Sequence, residues 1–207
     1  METRENRQQG KRVGILGGTF DPIHLGHLIA ADQALEQANL DEVWFMPARI
    51  PPHKQGKGIS AEQHRYKMIQ LAIAEHPAFR VIDIEFQRTG PSYTFDTMTE
   101  LIHRHPDVSF SFIIGGDMVK LLPKWYRVDE LIQLVQFIGL NRPGSKLEQN
   151  RYTSQVTFVE MPAWELSSSF IREKAAAGKS IRYFVPDAVA VYIKEQGLYE
   201  SSETRRS

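Results

Sequence analysis

Short apolar segments alternate with longer segments of helical period along this chain, and this alternation restricts the fold more than any other feature. Strands are predicted at Val13–Leu16, Glu42–Pro47, Arg80–Glu85, Ser109–Ile114, Phe137–Asn141 and Thr157–Glu160. Helices are predicted at Leu25–Asn39, Ala61–Glu75, Thr94–Arg104, Val128–Val135, Ser168–Ala177 and Pro186–Gln196, the second of them opened by a capping box of Ser60 and Gln63. This order predicts an α/β fold, with a Rossmann-like, doubly wound parallel sheet and helices on both faces.

The length of 207 residues suits one domain, which we predict over residues 12–200 between disordered tails at 1–11 and 201–207. Lysine plus arginine equals aspartate plus glutamate, 25 of each, so the chain lacks the positive field that non-specific nucleic-acid binding requires. Cysteine is absent, which excludes thiol catalysis, disulfides and thiolate metal sites and fits a reducing compartment. No apolar run approaches the ~18 residues of a membrane span. We therefore expect a cytoplasmic protein that has neither nucleic acid nor a membrane as a partner.

The segment from Gly17 to His27, GGTFDPIHLGH, follows the first predicted strand and opens the first predicted helix. Gly17 and Gly18 allow a ligand to approach the backbone closely and allow a positive φ. Phosphates would then lie against the free N–H groups and the positive dipole end of the helix that begins near Leu25. His24 and His27 are three residues apart, so both rings should project from one face and should resist protonation until an anion binds. The segment predicts a nucleotide-phosphate site.

Asp21, His24 and His27 have a second interpretation, as the metal site of a hydrolase. Zinc-binding histidine pairs on helices more often have i, i+4 spacing, and no glutamate base lies between these two histidines. We therefore predict no metal ligands on the protein. Asp21, which precedes Pro22, is expected to order the turn because its carboxylate accepts hydrogen bonds from backbone N–H groups.

A second candidate anion site is the segment LSSSFIR, from Leu166 to Arg172. Ser168 and Ser169 stand at the predicted start of a helix, where hydroxyls and free N–H groups bind anions. Arg172 follows one turn later and adds a fixed cation that suits phosphate oxygens. Taken alone, the segment is equally a plain helix cap followed by a surface arginine.

Four further side chains are candidates for ligand contacts. Asp117 follows Gly116 at a strand's carboxyl end, where an acid accepts bonds from ribose hydroxyls or caps the next segment. Lys54, in a glycine- and proline-rich stretch, either closes over phosphate or stays solvated. Trp125 offers a flat face to a ring or packs in the core. Arg142 is a further candidate anion contact.

These segments carry a family resemblance. The segment from Gly17 to His27 resembles the H-x-G-H nucleotidyltransferases, and the second segment resembles their signature I-S-S-T-x-I-R, with Leu166 and Ser169 replacing isoleucine and threonine. Further likenesses to the bacterial nicotinate-mononucleotide adenylyltransferases are PPHK at 51–54, SYT at 92–94, GGD at 115–117, KWYR at 124–127 and NRP at 141–143. The resemblance runs from about Arg12 to Tyr199.

The resemblance implies transfer of AMP from ATP to nicotinate mononucleotide in NAD biosynthesis, by direct in-line attack without a covalent intermediate. The residues expected to bind ATP are Gly17, Gly18, Thr19, Phe20, His24, His27, Gly116, Asp117, Ser168, Ser169 and Arg172, and His24, His27 and Arg172 are expected to be catalytic. The residues expected to bind the mononucleotide are Lys54, Tyr93, Thr94, Trp125 and Arg142. Mg²⁺ is expected to bind mainly through the ATP phosphates, and a homodimer is the expected assembly.

Three alternatives stay open. An adenylyl- or cytidylyltransferase for another phosphate, such as pantetheine phosphate, is disfavoured by the chain's length and by Tyr93, Thr94 and Trp125. A class I aminoacyl-tRNA synthetase shares an H-I-G-H element, but this chain lacks the K-M-S-K-S sequence and room for the extra domains. A non-catalytic nucleotide sensor is disfavoured by the intact histidine pair.

Overall fold

The computed structural model describes residues 10–49, 59–88, 93–142, 144, 149–163 and 165–200. Its strands are β1 (Lys11–Gly18), β2 (Glu42–Pro47), β3 (Phe79–Val81), β4 (Val108–Gly115), β5 (Gln136–Asn141) and β6 (Val156–Glu160). Its helices are α1 (Leu25–Gln37), α2 (Glu62–Ile73), α3 (Thr94–Arg104), α4 (Gly116–Val119), α5 (Val128–Leu134), α6 (Ser168–Ala176) and α7 (Asp187–Glu195). The six described strands run parallel in the order β3-β2-β1-β4-β5-β6. This order confirms the predicted doubly wound α/β fold.

Side chains that alternate along the central strands build one core on each face of the sheet. On β2, Val43 and Phe45 pack on one face while Trp44 and Met46 pack on the other, and all four are buried. Helices α1, α2, α6 and α7 cover the first face, and α3 and α5 cover the second. Because both faces are covered, the central strands are largely apolar where the helices pack on them, as a parallel sheet requires.

The edge of the sheet differs from its prediction. The strand predicted at Arg80–Glu85 ends at Val81, after which the chain turns and the Phe86 N–H donates to the Asp83 carbonyl at 2.8 Å. Among the described residues, β3 pairs only with β2, so the backbone hydrogen bonds described hold it on one side. The turn carries Glu85 into the cavity that is described below. Strand β1 begins one residue earlier than the predicted domain does. Its first residue is Lys11, which was predicted to belong to the N-terminal tail.

The capping box predicted from Ser60 and Gln63 is wrong. The N-cap of α2 is Ala61, which makes no side-chain capping bond within the described residues. The Ser60 N–H instead donates to the Asp21 carboxylate at 3.2 Å, and the Ser60 carbonyl accepts a bond from Arg65 Nε at 3.1 Å. Contacts with distant segments therefore replace the local cap that a serine at this position usually forms.

The described helices are short, and α1 is the longest of them at 13 residues. Two short helical segments follow β4, namely α4 and the single turn Leu122–Lys124. Both lie where no helix is predicted. Segments of this length contain too few residues for a helical period to be detected. None of the helices in the described part of the chain has the length and apolar character needed to cross a lipid bilayer.

Candidate active site

A cavity of about 400 Å³ opens at the carboxyl ends of the central strands, where the strand order reverses between β1 and β4. The predicted site residues that line it are Gly17, Gly18, Thr19, His24, His27, Thr94, Trp125 and Arg142. A larger groove of about 710 Å³ lies between α6 and α7 and is lined by none of the predicted site residues. The cavity at the sheet's switch point is therefore the candidate active site.

The glycine pair at the end of β1 makes room for aromatic rings. A Cβ on Gly17 would lie 3.2 Å from the Phe112 ring, and a Cβ on Gly18 would lie 2.9 Å from the Phe20 ring. The positive φ predicted for the glycines is found instead at Phe20, with φ of 50°. The Phe20 side chain, predicted to bind ATP, is buried and packs edge-on against the His27 ring with 4.9 Å between centroids. It supports His27 and leaves the Phe20 backbone as the part that can contact ATP.

The two histidines of the first turn form a stacked pair. Their ring centroids are 3.7 Å apart and their planes differ by 21°, which confirms that they share one face. The His24 N–H donates to His27 Nδ1 at 3.2 Å, so neutral His27 carries its proton on Nε2. His24 Nδ1 is buried without a hydrogen-bond partner among the described residues, and a Cβ at Gly26 would lie 3.1 Å from it. The pair can therefore donate a hydrogen bond from His27 Nε2 to an anion.

Burial keeps both imidazoles neutral. It lowers the pKa of His24 to about 4, and the charge of Arg142 lowers it further. Burial also lowers the pKa of His27, and the repulsion that a protonated His24 would exert acts in the same direction. The predicted resistance to protonation is confirmed. Its main cause is that burial removes the imidazoles from water, which disfavours the charged form, rather than the dipole at the helix N-terminus. An anion in the cavity would oppose this effect and raise both pKa values.

Asp21 connects the first turn to two distant segments. Its carboxylate accepts a hydrogen bond from the Tyr199 hydroxyl at 2.6 Å and one from the Ser60 N–H at 3.2 Å. The expectation that Asp21 accepts N–H groups of its own turn is therefore replaced by a contact with the segment before α2. Among the described residues, no group of three His, Cys, Asp or Glu side chains is placed to hold a metal ion.

The second predicted anion segment packs directly on the first turn. Ser168 Oγ donates to the Pro22 carbonyl at 2.9 Å, and Arg172 Nη1 donates to the Asp21 carbonyl at 2.7 Å. The cap of α6 is Ser167, whose Oγ accepts the Phe170 N–H, and not Ser168 or Ser169. Arg172 Nη2 also donates to Ser169 Oγ at 3.2 Å. The fold therefore joins the two segments next to the cavity, although none of these three predicted residues lines it.

Aromatic rings line the part of the cavity on the α3 and α5 face of the sheet, called the aromatic end; the part around His24 and His27 is called the histidine end. Trp125 lines it and packs edge-on against Phe112 and Phe137, with 6.0 Å between centroids in each pair. Thr94 is the first residue of α3 and also lines the cavity, while Tyr93 is 42% exposed and its ring lies 4.5 Å from that of Tyr126. Trp125 and the N-terminal residue of α3 therefore line the same cavity.

The remaining predicted residues are spread more widely. Gly116 and Asp117 open α4 and lie outside the cavity lining, although the neighbouring Gly115 is part of it. Arg142 lines the cavity near His24, at the histidine end rather than among the aromatic rings. Lys54 lies outside the described residues. Their assignment to ATP or to the mononucleotide stays a prediction.

Comparisons with known proteins identify the family. Residues 15–174 match the family model described as cytidylyltransferase-like. The chain is 50% identical over 188 residues to a probable nicotinate-nucleotide adenylyltransferase of Geobacillus thermodenitrificans, covering 91% of this chain and 86% of that protein. It is 49% identical over 191 residues to the nicotinate-nucleotide adenylyltransferase of Bacillus subtilis, covering 92% of this chain and 100% of that protein. The chain belongs to the nicotinate-nucleotide adenylyltransferases.

Solved structures support the same fold for this nicotinate-nucleotide adenylyltransferase family member. The Plasmodium falciparum nicotinic acid mononucleotide adenylyltransferase complexed with APC matches it with a TM-score of 0.75 at 20% identity, over 91% of this chain and 97% of that chain. The same Plasmodium enzyme complexed with NaAD also matches with a TM-score of 0.75, at 21% identity.

Arg65 of this nicotinate-nucleotide adenylyltransferase family member is a buried cation that sequence reasoning missed. Its guanidinium donates to the carbonyls of Thr19 at 2.9 Å, Ala48 at 2.7 Å and Arg49 at 3.2 Å. It is 1% exposed and lies on the apolar face of α2. A charged residue at a core position of an otherwise amphipathic helix was the available signal. Arg65 joins the turn after β1 to the segment that follows β2.

Glu85 is a second residue that sequence reasoning missed. Its carboxylate is 5% exposed, lines the cavity, and accepts a bond from Thr97 Oγ1 at 3.4 Å. An ionised carboxylate only accepts hydrogen bonds, so it suits a ligand hydroxyl or amino group and not a phosphate. The signal in the sequence was an acid at the carboxyl end of a predicted strand.

Proposed function

We propose that this chain transfers AMP from ATP to nicotinate mononucleotide, giving deamido-NAD and pyrophosphate. The observation that carries the proposal is the cavity itself, which has buried neutral imidazoles and Arg142 at one end and Trp125 and the N-terminus of α3 at the other. Relatives of about half-identical sequence are named for this activity. The cavity therefore offers one end for phosphates and one for an aromatic acid.

The mononucleotide phosphate would attack the α-phosphorus of ATP in line with the departing pyrophosphate. This phosphate is already an anion at neutral pH, so the reaction needs no general base and no protein nucleophile. Catalysis then depends on holding the two phosphates in line and on neutralising charge in the transition state. His27 Nε2–H would donate to a phosphoryl oxygen, His24 would support its ring, and Arg172 would add a positive charge beside the turn.

Mg²⁺ would bind mainly through the phosphates of ATP. Magnesium prefers oxygen ligands and keeps several of its waters, whereas the histidine end of the cavity presents imidazoles and the guanidinium of Arg142. The triphosphate is thus the better ligand, and the metal would neutralise charge on the leaving pyrophosphate.

The aromatic end would bind the pyridine ring. Trp125 would stack on it, and the N–H groups at the start of α3, near Tyr93 and Thr94, would donate hydrogen bonds to its carboxylate. An N-terminal helix turn favours a negative charge, which supports the acid over the amide form of the mononucleotide. A cytoplasmic location, a homodimer and the lack of a nucleic-acid partner stay predictions.

Pyrophosphate release from ATP tests the proposed function. The protein would be assayed with Mg²⁺ and, separately, nicotinate mononucleotide, nicotinamide mononucleotide and pantetheine phosphate, with ATP alone as the background. We expect rapid release with the nicotinate form and slower release with the amide. Release only with pantetheine phosphate would indicate a different transferase. No release with either mononucleotide would contradict the proposal and favour a nucleotide sensor.

A further inference from the structure

Tyr199 lies almost at the end of the described chain, yet its hydroxyl reaches the turn that follows β1. The hydroxyl donates to Asp21 Oδ1 at 2.6 Å across a separation of 178 residues. Burial and the nearby charge of Asp21 raise the pKa of Tyr199 well above its usual value, so this hydroxyl remains a donor at neutral pH. Tyr199 also has a positive φ of 68°, a conformation that is uncommon for an aromatic residue. The Tyr199 hydroxyl is therefore held as a hydrogen-bond donor to Asp21.

The Asp21 carboxylate has little access to water that could replace the hydrogen bond from Tyr199. It is 2% exposed, and its second oxygen accepts the Ser60 N–H at 3.2 Å. A buried carboxylate that loses a donor must find another partner or move toward water. Removal of the Tyr199 hydroxyl is therefore expected to shift Asp21 rather than to leave it in place.

A shift of Asp21 would reach Arg172 through the backbone. The carbonyl of Asp21 accepts the bond from Arg172 Nη1 at 2.7 Å, so the same residue contacts Tyr199 with its side chain and Arg172 with its main chain. The next carbonyl, that of Pro22, accepts the Ser168 hydroxyl. Tyr199, Asp21 and Arg172 thus form one continuous chain of contacts that ends at a predicted catalytic cation.

We propose that Tyr199 is a positioning residue for nucleotidyl transfer, which acts through Asp21 to hold Arg172 and the phosphate turn in register. This inference rests on the proposed function. A purely structural alternative is that Tyr199 only attaches the end of the chain to the domain. The two differ in what a lost hydroxyl changes, because an attachment affects stability and positioning affects the rate at saturating substrates.

The test is Tyr199→Phe, with Tyr192→Phe as the matched control. The Tyr192 hydroxyl bonds His64 Nδ1 at 2.9 Å and joins α7 to α2 without touching the turn. We expect Tyr199→Phe to lower kcat about tenfold with both KM values within about twofold, because small misplacements of positioned groups cost rate. Tyr192→Phe should keep kcat within about twofold of wild type even where its Tm falls.

A double-mutant cycle with Asp21→Asn checks the route. If Tyr199 acts through Asp21, adding Tyr199→Phe to Asp21→Asn should change kcat by less than about twofold. Should Tyr199→Phe fail to fold, Asp21→Asn alone should still lower kcat at unchanged KM. Equal kcat for the Tyr199 and Tyr192 variants, or full additivity in the cycle, would overturn the inference. A wild-type protein that releases no pyrophosphate would instead refute the proposed function.

Discussion

The two ends of the cavity are built from different kinds of contact. At the histidine end, the turn after β1 is held by hydrogen bonds to its carbonyls from Arg65, Ser168 and Arg172, and by the bond from Tyr199 to Asp21. At the aromatic end, Trp125 is held by edge-on ring contacts, and the Tyr93 and Tyr126 rings are exposed at the rim. Directional bonds fix one end, and ring packing shapes the other.

The two kinds of contact suit the two substrate groups of the proposed reaction, the phosphates and the pyridine ring. Charge develops at the α-phosphorus, and preorganised donors stabilise it because they need no rearrangement during the reaction. The pyridine ring undergoes no chemistry, so the aromatic end needs only to bind it in the correct place. Damage to the histidine end should therefore appear mainly in kcat, and damage to the aromatic end mainly in KM.

The largest expected effect is that of His27→Ala at the histidine end. It removes the Nε2–H donor that the His24 N–H orients, and loss of one preorganised donor costs roughly 10²–10³ in rate. The measurement is kcat for pyrophosphate release at saturating substrates, with the exposed His103→Ala as the control. A variant that keeps more than about a tenth of wild-type turnover would show that His27 does not have this role.

Trp125→Ala should have an intermediate effect at the aromatic end. Loss of the stacking face should raise KM for nicotinate mononucleotide about fivefold, since ring stacking contributes on the order of 1 kcal/mol, while KM for ATP should change by less than about twofold. Trp125→Phe retains a ring and should restore most of the affinity. Equal increases in both KM values would indicate a general packing role against Phe112 and Phe137.

The smallest expected effect is a pH dependence of stability at the histidine end. The pKa of His24 is about 4 in the folded protein and about 6.5 when unfolded, so the unfolded state binds more protons between these values. The free energy of unfolding should therefore fall as the pH drops through this window, by about 1 kcal/mol from pH 7.5 to 5.5 for His24 alone.

Denaturant unfolding at the two pH values measures this effect. His24→Asn should show a smaller loss than wild type, and the exposed His103→Asn should show the wild-type loss. An identical pH dependence in wild type and His24→Asn would mean that the His24 imidazole is not kept neutral by burial.

The fold was largely predictable because the buried faces of its strands and helices leave clear patterns of apolar residues in the sequence. β2 and α3 agree with their predicted bounds at Glu42–Pro47 and Thr94–Arg104, since the first is buried throughout and the second has one apolar face. The predictions for β3 and for the cap of α2 were wrong where tertiary contacts override local signals. At Ser60, the bonds to Asp21 and Arg65 replace the expected cap.

The site was predictable only where a segment carries its own signal. The spacing of His24 and His27 predicted that their rings share one face, and the structure confirms this, whereas the roles predicted for the two residues stay predictions. The contacts from Arg65 and Tyr199 to the turn join residues that are far apart in sequence, so no local pattern reports them. The neutrality of His24 likewise depends on burial, which only the packed structure reveals.

In the proposed reaction, which is a single displacement, His27 donates a hydrogen bond and neither histidine forms a bond to phosphorus. A neutral, buried imidazole is also a potential nucleophile, so the claim needs a direct test. ATP with a chiral thiophosphate at the α position distinguishes the two cases, because each displacement inverts the configuration at phosphorus. We expect the thiophosphate analogue of deamido-NAD with inverted configuration. Retention would require two displacements through a covalent intermediate and would contradict this expectation.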